Sequence, residues 1–106
     1  MPSGTLAQSS PSAVTNTSVY TVPASKVSTF NVNVLNRSPS LPVMIRLAIA
    51  ATSSPADAEW LEYDATIQPN EVLERTGIVA SAGKILVAYV SLANVSINIF
   101  GFEETA

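Results

Sequence analysis

The chain has 106 residues, no cysteine, no histidine and a formal net charge of −3. That length suits one domain, and the missing residue types remove thiolate chemistry together with the commonest general base and metal ligand. The basic residues Lys26, Arg37, Arg46, Arg75 and Lys84 are scattered, which argues against a nucleic-acid partner.

Hydrophobic residues make up 47% of the chain and charged residues 12%, about half the usual charged share. The surface is expected to be Ser, Thr, Asn and Ala, which a neighbouring protein can cover at low desolvation cost. The first residues, Met1 to Gln8, have neither a basic start nor an apolar stretch. The apolar run Leu41 to Ala51 holds Pro42 and Arg46 and is far too short to span a bilayer. These features predict a protein made in the cytoplasm and kept there, or released by lysis, with no membrane partner.

Residues 1–16 are mostly Ser, Thr, Ala, Pro and Gly, and the first charge is Lys26. This stretch reads as an extended arm ahead of a domain over residues 17–106. Fully extended it reaches roughly 50 Å, enough to lie on a neighbouring subunit through Leu6 and Val14. The alternative is that it folds back on its own domain.

Strands follow. Thr17 to Val22 is stopped by Pro23, and Val27 to Asn36 alternates strictly, with Phe30, Val32 and Val34 on one face. Val43 to Ala50 directs Val43, Ile45, Leu47 and Ile49 inward and Arg46 outward. Trp60 to Ile67 places Leu61, Tyr63 and Ile67 in phase. After the Gln68-Pro69-Asn70 turn comes Val72 to Ala80, and Ser81-Ala82-Gly83-Lys84 turns the chain again.

Ile85 to Val90 and Val95 to Phe102 read as a final hairpin around Leu92-Ala93-Asn94, with Ile85 to Val90 apolar on both faces. Such a strand is either a covered central strand or a subunit interface, in which case Leu86, Val90 and Phe100 are the contact positions. Seven strands with turns at this spacing predict an all-β, antiparallel two-sheet sandwich, jelly-roll or immunoglobulin-like.

Catalytic chemistry is hard to find. Asp57, Glu59, Glu62, Asp64, Glu71 and Glu74 concentrate the acidity, and on a regular strand Glu62 and Asp64 share a face about 7 Å apart. Paired carboxylates can cleave glycosidic bonds, but only in a cleft. Asp57-Ala58-Glu59 lacks a calcium-loop pattern, and the four glycines are isolated. The triplets at Asn16, Asn36 and Asn94 match the glycosylation pattern without a secretory signal. Trp60, Tyr63 and Tyr89 could stack sugars or bases, or anchor a core or an interface. The expectation is a protein without enzymatic activity, metal or cofactor.

Val19-Tyr20-Thr21-Val22-Pro23-Ala24-Ser25-Lys26 resembles a Leu-Tyr-Thr-Val-Pro-Ala-Gly-Lys segment of small structural proteins of tailed bacteriophages, notably cyanophages. Asn31-Val32-Asn33-Val34-Leu35-Asn36-Arg37 is similar to their Asn-Val-x-Val-x-Asn-Arg. Ile45-Arg46-Leu47-Ala48-Ile49, Leu61-Glu62-Tyr63-Asp64 and Val72-Leu73-Glu74-Arg75-Thr76-Gly77 follow in order, so the likeness runs from about Val19 to Glu103. Ser25 stands where that segment has Gly.

The resemblance implies a virion component with a β-sandwich fold. With the uncharged arm and low charge, it predicts a capsid decoration or cement protein on the outer capsid surface, made in the host cytoplasm. Its partners would be the major capsid protein and copies of itself, as a trimer for example. The alternative is a tail-fibre or baseplate module that binds a host glycan.

Overall fold

The computed structural model describes residues 3–105; Met1 and Pro2 of the expected arm, and Ala106, lie outside them. The described chain is all-β: β1 (Ser3–Ser9), β2 (Thr17–Thr21), β3 (Lys26–Asn36), β4 (Val43–Ala50), β5 (Trp60–Ile67), β6 (Val72–Ser81), β7 (Ile85–Val90) and β8 (Val95–Thr105), with one 3-10 turn at Asp57–Glu59. Two four-stranded antiparallel sheets pack face to face, in the orders β1-β8-β3-β6 and β2-β7-β4-β5. Here they are called the first and the second sheet.

Strand one pairs with eight, two with seven, three with six and four with five. The chain is therefore one long hairpin, folded over twice into two sheets. That connectivity is the jelly roll, and it excludes the four-plus-three arrangement of the immunoglobulin constant fold.

Alternation builds the core. Along β3, Ser28, Phe30, Val32, Val34 and Asn36 are buried, while Thr29, Asn31, Asn33 and Leu35 point outward. From β4 come Val43, Ile45 and Leu47, from β7 Leu86, Ala88 and Val90, and from β8 Val95, Ile97 and Ile99. The two sheets meet on this one cluster. Gly101 of β8 lies between Gly4 and Phe30, where a Cβ would collide with the Thr29 carbonyl and the Phe30 backbone.

Three of the crossings between sheets are four-residue turns closed by an i to i+3 hydrogen bond. The amides of Lys26, Glu71 and Lys84 donate to the carbonyls of Pro23, Gln68 and Ser81 at 3.2, 3.0 and 3.1 Å. In each, only the third residue has positive φ: Ser25 at 62°, Asn70 at 61° and Gly83 at 83°. That is the type II pattern, which favours Gly and then Asn at that place. Ser25 occupies a glycine position without being one.

Three expectations need correction. The described residues form eight strands, not seven, because Ser3–Ser9 of the expected arm pairs antiparallel with β8. A one-residue bulge at Leu6 lets a sequence without apolar alternation turn both Leu6 and Ala7 toward the core.

Second, Ile85–Val90 and Val95–Thr105 are not a hairpin; they lie in different sheets. Their inner residues meet across the core, which a shared sheet would forbid. Third, Leu61 and Tyr63 are exposed while Ile67 is buried. The backbone bulges at Asp64, where φ is 55°, so the strand changes face before Ile67.

All four pairings that involve an edge strand carry a register shift, whereas the inner pairings β3–β8 and β4–β7 are continuous. Bulges twist exposed edges out of reach of another strand. The facing edges β5 and β6 add an inward charge each: Glu62 and Arg75 pair across the gap between the sheets.

Candidate interaction faces

The sandwich presents two broad outer faces of different chemistry. Register places Val79, Thr29, Phe102 and Ser3 in one row across the first sheet, and Asn31, Phe100 and Thr5 in the next. Glu74, Asn33, Asn98 and Gln8 make a third row, within which the Gln8 side-chain amide donates to Asn98 Oδ1 at 2.8 Å. Val79 is 65% exposed, and Phe100 and Phe102 are each more than a third exposed. Among the described residues, Glu74 and Glu104 are the only formal charges that the pairing puts on this face, and both lie at its margin. Beside the edge strand, a shallow depression of about 370 Å³ is lined by Gln8, Ser9, Ser10, Ser96, Ile97 and Asn98.

The outer face of the second sheet is built around Arg46. Its guanidinium lies 4.2 Å from the Tyr63 ring centre and 4.5 Å from that of Tyr89. It also donates to both Asp64 oxygens, Nε to Oδ1 at 2.6 Å and Nη2 to Oδ2 at 3.4 Å. The bulge at Asp64 is what turns this carboxylate toward Arg46, and the hydrogen bond to Asp64 holds the guanidinium above its ordinary pKa.

Trp60 meets Tyr63 edge to face at 5.4 Å and covers a small second cluster of Ala48, Ala50 and Val87. Glu59 props this corner. It accepts from the amides of Ala56 at 2.8 Å and Ala51 at 3.2 Å, which lowers its pKa.

The expected contact residues separate. Phe100 lies on the outer face of the first sheet. Leu86 and Val90, at 1% and 0% exposure, are core residues and offer nothing to a partner. The outer side of β7 is covered within the chain at Val87 by Trp60 and Ala48, so the central-strand alternative holds there. Leu6 is half-buried against the chain's own core, and Val14 is exposed. Phe102 and Val79 were not anticipated. The period-two spacing of Ser96, Asn98, Phe100 and Phe102 carried that signal within one strand; the row across the sheet needed the register.

The acidic concentration also disperses. Glu62 points inward to Arg75 and Asp64 outward to Arg46, so the two do not form a pair on one face. Among the described residues no three acidic side chains gather at metal-binding distance.

Among the described residues the one buried carboxylate is elsewhere. Glu103 accepts from the Tyr20 hydroxyl, which also bonds Ser28 Oγ at 2.6 Å, joining the two sheets at one end of the core. Burial, and then the Glu103 hydrogen bond, push the Tyr20 pKa from 10.0 up to about 12. At the other end, buried Asn36 donates to the carbonyls of Leu41 and Ile67 at 2.9 and 3.0 Å and accepts from the Ser38 amide.

Comparison with protein-family models, with curated proteins and with solved structures returns no match to this chain.

Proposed function

We propose that the chain is a non-enzymatic structural protein of a phage virion, a decoration or cement protein that ties neighbouring capsid subunits together. The observation that carries this reading is the outer face of the first sheet. Exposed Phe100, Phe102 and Val79 stand among Thr, Asn and Gln side chains, with charge only at the margin. Protein–protein contacts are depleted of charge at their centre and enriched in aromatics, and this face has that composition. The contact would be made through Phe100 and its neighbours and not, as the sequence suggested, through Leu86 and Val90.

A second reading has its own support. Tyr63 is 58% exposed beside the Arg46–Asp64 pair. A sugar ring could stack on Tyr63 while its hydroxyls meet the carboxylate and guanidinium, as expected of a tail-fibre or baseplate module that binds a host glycan.

Virions stripped of the protein distinguish the two. Wild type, Phe100→Asp/Phe102→Asp and Tyr63→Ala are added back in molar salt, and the particles are imaged. The capsid reading expects wild type and Tyr63→Ala to bind the shell despite the salt, because few charges take part. The double aspartate variant should lose occupancy by about a hundredfold, as for a hot spot of roughly 3 kcal/mol. Density on the tail alone would overturn the capsid assignment, and full occupancy by the double variant would overturn this face as the contact.

A further inference from the structure

The N-terminal strand is an edge strand of the first sheet, and just beyond it Arg37 Nη2 donates to Ser10 Oγ at 2.9 Å. β1 pairs on one side only, with β8, and the only large apolar side chain it lends to the core is Leu6, half-buried beside Ala7. It carries no charge, so two copies can bring these strands together without repulsion.

The connection from β1 to β2 is uncharged too, and it contains a strained residue. Val14 stands at φ 56° and 66% exposed, held there by a 2.8 Å hydrogen bond from its amide to the Val90 carbonyl. For a β-branched residue that conformation is a costly outlier, kept only while the surrounding structure imposes it. What imposes it is the reversal that brings the chain back from β1 to β2. Extending the connection removes the reversal and the strain together.

We propose that β1 exchanges between copies of this chain. Ser3–Ser9 of one molecule leaves its own β8 and pairs with β8 of a second, the chain swinging at Val14, while buried Pro11 travels with the strand and is buried again in the acceptor. The acceptor presents the same groove that the closed chain uses, with Gly101 opposite Gly4, Ile99 opposite Ala7 and Asn98 opposite Gln8. The β1–β8 pairing is thus recovered between molecules, and the relief of strain at Val14 offsets the loss of its amide's bond to the Val90 carbonyl. Exchange of an identical element is a low-cost route to an oligomer, and strain in the hinge favours it.

This inference rests on the part of the proposed function that puts copies of the chain in contact. Its test needs only purified protein, so its failure leaves the virion experiment to decide the capsid assignment.

The natural chain has no cysteine, which makes the test clean. Gln8→Cys/Asn98→Cys places one thiol on each strand of the pair. The protein is refolded at millimolar and at micromolar concentration, oxidised and run without reductant, with a size-tagged copy mixed in before refolding. Exchange predicts disulfide-linked dimers or larger rings, including tagged–untagged species, at high concentration, and linked monomer at low concentration.

Adding Val14→Gly makes the reversal inexpensive and should lower the linked-oligomer share about tenfold or more, because each exchanged chain contributes one hinge. Monomer-only crosslinks at every concentration would overturn the exchange. An unchanged oligomer share in Val14→Gly would overturn the hinge as its driver. No crosslink of either kind would overturn it as well, since closed and exchanged forms share the Gln8–Asn98 pairing.

Discussion

The two outer faces of this sandwich come from strands of similar length and alternation, yet they treat their polar groups in opposite ways. On the second sheet, the charge of Arg46 is answered by Asp64 and its flat surfaces by Tyr63 and Tyr89, so the groups satisfy one another. On the first sheet, Asn31 accepts from the Gly77 amide at 3.0 Å and Gln8 bonds Asn98, while Phe100 and Phe102 stand exposed beside them with no such cluster around them. A face whose groups are already matched has little to gain from a partner. One with exposed phenyl rings and amides gains both apolar burial and hydrogen bonds. The proposed contact rests on this difference.

The comparison can be pressed at three points. The largest effect is expected in the seam between the sheets. Because folding raises the Tyr20 pKa from 10.0 to about 12, the folded state holds that proton more tightly than the unfolded chain. Stability is then fully present below pH 10, declines between the two values and is lost to this group above the higher one. Denaturant midpoints measured across that range should fall with pH, and the fall should shrink in Tyr20→Phe. Neither outer face takes part, so Arg46→Ala and Phe102→Ser variants should follow the wild-type slope.

At ordinary pH the faces themselves separate. Arg46→Ala removes the partner of two rings and a carboxylate, and should lower the melting temperature by a few degrees. Phe102→Ser, on the open face, should lower it less. Equal losses would mean that both faces are structural and the division is false. The smallest effect is at Ser25, where glycine should raise stability by about 0.5–1 kcal/mol by removing the left-handed strain of a side-chain-bearing residue. A loss in that variant would mean that the Ser25 side chain compensates for the strain in some way.

Much of this fold was legible in the residues. The bounds of Val43–Ala50, Trp60–Ile67 and Ile85–Val90 follow from apolar runs between turn signals, and Gln68-Pro69-Asn70 announced its turn by composition. Inward and outward positions of β3 followed from strict alternation.

What could not be read is pairing. Leu86 looked available because alternation says which residues share a face, not which face meets the other sheet. β1 was missed for a related reason: its hydrogen bonds go to a strand some ninety positions away, and its bulge erases the period that would mark it. The bulge at Asp64 had the same effect on Leu61 and Tyr63. The open face was half legible, through Phe100, and the Arg46 cluster was visible only as three aromatic residues without the cation that organises them.

The folded-over hairpin also sets an order of events for a growing chain. Only β4 and β5 can pair across a short loop, whereas β1 must wait for β8, with Gln8 and Asn98 lying 90 positions apart. Loop-closure entropy rises with each outer pairing, which makes such a topology slow to complete. On a ribosome β1 therefore emerges before the rest of the sandwich and is the last of its strands to find its place. Until then β8, wherever a copy has completed it, is a sheet edge with one side open.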